Sequence, residues 1–194
     1  LEMAAILIDI KPGDEVIIPS YTFVSSANPF VLRGAKIIFA DSQKDHPNMD
    51  AGTLENLITE KTKAIVPVHL FGQPANMEKI MSIAKKYNLF VIEDNAQAVG
   101  SSYQFKSGDK LKTGTIGNIG ATSFFPSKNL GCFGDGGALV TNDDDLARKV
   151  RLLRDHGRND SGEVIEWGFN SRLDNLQAAI LNYKLKSYDS DILR

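Results

Sequence analysis

Short apolar runs alternate with amphipathic stretches along this chain, and that alternation predicts β–α units wound into a mostly parallel sheet. Six runs read as strands, at residues 15–20, 36–41, 64–70, 90–94, 121–125 and 137–141. They are mostly continuous in apolar residues rather than alternating, as strands covered on both faces should be. Several finish in polar residues, at the rim where such sheets carry their chemistry.

The intervening stretches carry helical periodicity. In residues 76–88, Met77, Ile80, Ile83, Ala84 and Tyr87 form one apolar stripe. After Thr141, three acids (Asp143, Asp144, Asp145) open a helix whose later turns carry Arg148, Lys149, Arg151, Arg154 and His156 before Gly157, which suits the helix dipole. Consecutive residues at a helix start diverge and cannot converge on one ion, so the acidic triplet is not read as a metal site. Leu1, Ala4, Ala5 and Ile8 are periodic with no capping residue before them, and a helix-like segment at 172–187 runs into Ser-Tyr-Asp-Ser-Asp with no element expected after it. Residues 1–194 are therefore expected to be one α/β domain, a mostly parallel sheet sandwiched by helices and truncated at both ends.

Composition narrows the function. At 194 residues and 42% apolar content, the chain can bury a substantial core. The net charge of −2 comes from interspersed acids and bases, without the basic stripe that nucleic acid or an anionic membrane selects. The one cysteine, Cys132, reads as structural, and no Cys/His spacing resembles a metal site, a usage that fits the reducing cytoplasm. No apolar stretch approaches the roughly 20 residues of a membrane span, and the opening is acidic and lacks a basic leader.

Candidate chemistry centres on Lys128, in Ser123-Phe-Phe-Pro-Ser-Lys-Asn-Leu-Gly131. An amine in a polar turn after a buried strand can form a Schiff base. Upstream, Phe90-Val-Ile-Glu-Asp94-Asn-Ala-Gln97 brings a carboxylate and an amide to the end of another strand. In open α/β sheets ligands bind outside the carboxyl ends of the strands, so Asp94, Gln97 and Ser123 are expected near one crevice. Lysine, carboxylate and amide together point to pyridoxal phosphate, which draws electrons from the substrate Cα while its pyridine nitrogen stays protonated. Asp94 is the choice for that nitrogen, since an ion pair at about 4 Å and an effective dielectric of about 20 contributes roughly 4 kcal/mol before desolvation. Glu93 should point to the opposite face. Gln97 suits the ring 3-oxygen. Ser123 offers a hydroxyl either to the phosphate or to its own backbone, and Phe23 either covers the ring or belongs to the core.

Five ordered stretches resemble the DegT/StrS family of sugar aminotransferases: Pro12-Gly-Asp-Glu-Val-Ile-Ile-Pro-Ser-Tyr-Thr-Phe23, Val66-Pro-Val-His-Leu-Phe-Gly72, Glu93-Asp-Asn-Ala-Gln97, Ser123 to Gly131, and Gly168-Phe-Asn-Ser-Arg-Leu-Asp174. The resemblance implies the large domain of the aspartate aminotransferase (fold type I) class. It places Lys128 in the Schiff base, Asp94 on the pyridine nitrogen, Gln97 on the 3-oxygen, Ser123 on the phosphate and Phe23 on the ring. It further implies a homodimer in which Asn170 reaches the partner's phosphate; by itself Asn170 reads as a turn residue. His69 is expected to be a satisfied structural residue. Some relatives that dehydrate have a histidine at the lysine position, so Lys128 favours aminotransfer. The implied reaction moves an amino group, from L-glutamate, to a nucleotide-linked keto sugar in polysaccharide or glycan precursor synthesis. The resemblance also implies a first strand with a phosphate-binding turn before Leu1 and a small C-terminal domain, so activity is expected of the intact protein.

Three rivals remain within view. A nicotinamide enzyme needs a Gly-x-Gly-x-x-Gly turn, and Gly114-Thr-Ile-Gly117-Asn-Ile-Gly120 has the wrong spacing. A non-catalytic sensor or assembly protein on the same fold would bind the cofactor without turnover. Aminotransfer to an inositol ketone keeps the same chemistry.

Overall fold

The computed structural model describes residues 1–192. In chain order the elements begin with α1 (Glu2–Leu7), β1 (Glu15–Pro19), α2 (Asn28–Val31), β2 (Lys36–Ala40), β3 (Ser42–Gln43), β4 (His46–Met49), β5 (Thr62–Ile65) and α3 (Met77–Tyr87). They continue with β6 (Phe90–Asp94), β7 (Ser102–Gln104), β8 (Lys110–Lys112), β9 (Ile119–Ser123), β10 (Gly137–Val140), α4 (Asp144–Arg154), α5 (Asn175–Leu185) and α6 (Tyr188–Ile192). Six strands form one sheet in the order β10-β9-β6-β5-β1-β2, parallel except for β10, which runs antiparallel to β9. Short hairpin sheets, β3 with β4 and β7 with β8, sit outside it.

Strand geometry explains why apolar runs were needed here. Successive side chains point to opposite faces, and in the inner strands both faces are covered. Val16, Ile18, Ala64, Val66 and Ile92 pack with residues of α1, α2 and α4 on one side. Their alternates Ile17, Ile65 and Val91 pack against Met77, Ile80, Ile83 and Ala84 of α3 on the other. Each fully buried Ile, Val or Met contributes about 1.5–3 kcal/mol. Coverage on both faces does not extend to the sheet edges: Phe39 on β2 and Val140 on β10 are exposed.

Other departures are local. Strand β5 stops at Ile65, and Val68 rejoins the sheet only as a single bridge to Asp94. Strand β9 begins earlier than expected and ends at Ser123, because the chain reverses there into β10. Tyr87 leaves the α3 stripe for the surface, where its ring lies 4.9 Å from the Lys86 ammonium. Helix α5 starts at Asn175 rather than 172, and Tyr188–Ile192 form a further short helix where no element was expected. Among the described residues, no helix is long and apolar enough to cross a membrane, and no His, Cys, Asp and Glu cluster could hold a metal ion.

Candidate active site

Parallel register brings the candidate residues to one rim. Strands β6 and β9 pair Asp94 with Ala121, so Ser123 lies two residues further along the same edge. Because β10 returns antiparallel, Gly137 sits opposite Ser123, and the segment carrying Lys128 leaves and re-enters the sheet at one point. The turn after β1 reaches this rim as well: Ser26, in the short helical turn following Phe23, donates from its hydroxyl to Asp94 Oδ2 at 2.7 Å. Thr22 Oγ1 lies 2.8 Å from the same hydroxyl.

Asp94 is 6% exposed, and its Oδ1 accepts from the Ala96 amide at 3.1 Å. Burying a carboxylate is costly unless it is hydrogen-bonded, and these contacts hold it at the rim. Gln97 has its carbonyl oxygen taken by the Phe71 amide at 2.8 Å. An amide with its oxygen occupied must turn its NH2 the other way. Ser123 Oγ accepts from the Phe125 amide at 3.2 Å, so the local backbone bond weighed from sequence does form. Phe23 is 72% exposed, which removes the alternative of an ordinary core residue.

Lys128 sits in a tightly closed loop. Its amide donates to Phe125 O, Phe124 N donates to Gly136 O, and Cys132 N donates to Phe124 O, all within 2.7–2.8 Å. Helix α5 closes the loop from outside: Gln177 Oε1 accepts from Phe133 N at 2.7 Å, and Lys184 donates to Gly131 O. The Lys128 side chain is half-buried and has no hydrogen bond or ion pair among the described residues. Asn170 stands apart from these five. It is exposed, bridged to Asp155, and its Oδ1 accepts from Arg172 Nε and Nη2.

Glu93 faces away from Asp94, as strand alternation requires, into a fully enclosed site. Its carboxylate accepts from Gly114 N (2.8 Å), Ile116 N (2.7 Å) and Gly117 N (2.6 Å), and His69 Nε2 lies 2.9 Å away. Burial alone would push this carboxyl up; the hydrogen bonds from His69, Gly117 and Gly114 outweigh it and hold it below the usual range. His69 Nδ1 accepts from Ala75 N at 3.1 Å, which leaves the ring proton on Nε2. The imidazole therefore serves Glu93 as a neutral donor rather than as a cation. The glycine-rich 114–120 stretch is thus the lining of a carboxylate pocket.

Sequence reasoning missed the partners: Ser26 and Thr22 behind Asp94, Phe71 behind Gln97, and Gln177 and Lys184 behind the lysine loop. Thr22 and Phe71 lay inside noted motifs, but no local signal says which distant group a side chain or amide will meet. As a set, the residues fit pyridoxal phosphate. Among the described residues they offer an unpaired amine, a buried carboxylate, an amide with a free NH2, a hydroxyl and an exposed aromatic ring at one strand rim.

Residues 1–194 match the DegT/DnrJ/EryC1/StrS aminotransferase family over their whole length. The chain belongs to that family. Within it, the chain is 46% identical over 192 residues to a UDP-2-acetamido-2-deoxy-3-oxo-D-glucuronate aminotransferase of Pseudomonas aeruginosa, covering 99% of this chain and 52% of that protein. It is 48% identical over 180 residues to a protein of Geobacillus stearothermophilus named as a pleiotropic regulatory protein, covering 93% and 47%. The crystal structure of DesV from S. venezuelae, in complex with a ketimine intermediate, superposes with a TM-score of 0.89 at 42% identity, over 97% of this chain and 50% of that one. The chain therefore spans about half the length of the family members it matches.

Proposed function

We propose that the protein is a pyridoxal-phosphate-dependent aminotransferase that moves an amino group, from L-glutamate, to a keto sugar carried on a nucleotide. The observation that carries this reading is the Lys128 amine, without a partner among the described residues, at the rim that also holds Asp94 and Gln97, in a chain 46% identical to a UDP-keto-sugar aminotransferase. When bound, the cofactor supplies an electron sink for the amino donor's Cα. Asp94, held in place by hydrogen bonds from Ser26 and the Ala96 amide, would hold the proton on the pyridine nitrogen. Gln97 directs its NH2 to the 3-oxygen, Phe23 excludes water from one ring face, and Ser123 contributes to the phosphate seat. Lys128 anchors the cofactor and afterwards moves the proton at the substrate carbon as a general base. Asn170, exposed on its own segment, reaches the phosphate of a second copy in a homodimer. The setting is the cytoplasm, in precursor synthesis for polysaccharide or glycan.

A regulatory reading has one observation in its favour, the similarity to the pleiotropic regulatory protein. One experiment separates the two: visible spectra of the full-length protein and its Lys128→Ala variant with pyridoxal phosphate, before and after L-glutamate. The enzyme reading expects a lysine-dependent band at about 410–430 nm that moves to about 330 nm with glutamate, in keeping with chemistry that belongs to the cofactor. A band that ignores every amino donor favours the regulatory reading. No lysine-dependent band at all removes both.

A further inference from the structure

The turn from His69 to Gln73 touches the candidate site at two successive points while its own anchor lies outside it. His69 N donates to Asp94 O at 3.1 Å, and two residues on, Phe71 N donates to Gln97 Oε1 at 2.8 Å. The turn is strained: Phe71 adopts φ 54°, ψ 28°, a left-handed conformation that costs a non-glycine residue about 1–3 kcal/mol and persists only where the surroundings impose it. Two buried side chains impose it. Asn48 accepts from Leu70 N and donates to Gln73 O, at 3.2 and 2.9 Å. The His69 ring, fully buried, ties the turn to Glu93 on one side and to Ala75 on the other.

We propose that His69 is a positioning residue for the cofactor: its bond to Glu93 fixes the turn that sets the Asp94 backbone and directs the Gln97 NH2 into the site. This inference rests on the cofactor reading above. Strand alternation gives Glu93 its part in the arrangement. Consecutive residues of β6 point to opposite faces, so a link made on the Glu93 side fixes the strand end that carries Asp94 without occupying the crevice. The neutral imidazole is suited to this, since it donates at one nitrogen and accepts at the other with no charge to bury.

Two compact substitutions divide the two bonds. His69→Gln keeps a donor that reaches Glu93 and gives up the acceptor for Ala75; His69→Asn keeps that acceptor and loses the reach to Glu93. In the full-length protein, pyridoxal phosphate affinity and the visible circular dichroism per bound cofactor are measured beside the melting temperature. The proposal expects His69→Asn to bind about ten-fold more weakly, the scale of one lost buried hydrogen bond, with the dichroic band changed because the ring is reoriented. His69→Gln is expected to stay close to wild type in both. A purely structural role would lower the melting temperature of both variants and leave the dichroism of the remaining bound cofactor unchanged, and that result overturns the proposal. If only one variant folds, an unchanged band in His69→Asn or a lost one in His69→Gln is enough to overturn it. A wild-type protein that binds no cofactor instead removes the functional reading, and this inference with it.

Discussion

Ser26 donates its hydroxyl to Asp94 Oδ2 at 2.7 Å, a bond between residues 68 positions apart that joins the turn after β1 to the end of β6. Both residues are buried. Replacing Ser26 by alanine leaves a carboxylate oxygen without its donor, and a hydrogen bond to a charged group is worth about 1.5–3 kcal/mol. Urea unfolding of Ser26→Ala is expected to show a loss of that size, with weakened binding of pyridoxal phosphate. Unchanged stability would mean that Asp94 finds another donor.

The Glu93 pocket predicts a pH dependence. Its carboxyl sits below the usual range when folded, so its stabilising contribution is present above the unfolded value of about 4.3 and is lost as pH falls through the lower, folded value. In Glu93→Gln an NH2 must face either the backbone amides or the His69 donor. The variant should therefore melt well below wild type at neutral pH. The gap should narrow on acidification from about pH 5 to pH 3, where only wild type has a carboxylate to protonate. Parallel melting curves across that range would contradict the assignment.

Gly120 shows how tightly the carboxylate pocket is built. A Cβ there would run into the Gly114 carbonyl, a backbone atom with no freedom to move aside. Gly120→Ala is expected to accumulate as insoluble or partly unfolded protein, a loss above about 3 kcal/mol. Soluble yield and circular dichroism are the readouts.

Asp143 precedes α4 and accepts from the Asp145 and Leu146 amides at 2.9 and 3.0 Å. Asp143→Ala should cost about 0.5–2 kcal/mol by chemical denaturation, and Asp143→Asn much less. Neither change should alter cofactor binding, because α4 starts at the opposite end of the sheet from the lysine loop.

The sequence made the six-stranded sheet legible because its inner strands are apolar on both faces, and because Asp94, Gln97, Ser123 and Lys128 follow directly after such runs. Exposure at the edges was not legible: Phe39 and Val140 look no different in sequence from Ile17 or Val91, and only strand order decides which are covered. The early start of β9 was hidden by Gly117 and Gly120, residues that normally weaken a strand. His69 was read as a satisfied structural residue, and its ring is hydrogen-bonded at both nitrogens. Its partner Glu93 was noticed only as the wrong neighbour of Asp94, since nothing local announces a pairing across 24 positions.

The pairing of Asp94 with Ala121 also acts as a ruler. A slip of β9 by one position would carry the chain about 3.3 Å along the rim and turn every side chain over. Ser123 would then face the wrong layer, and the amine of Lys128 would miss its mark by more than the length of a hydrogen bond. The ladder that holds the sheet together thereby sets where the Lys128 loop stands relative to Asp94, and on the proposed function selection for accurate chemistry at Lys128 is at the same time selection for a single register between two strands.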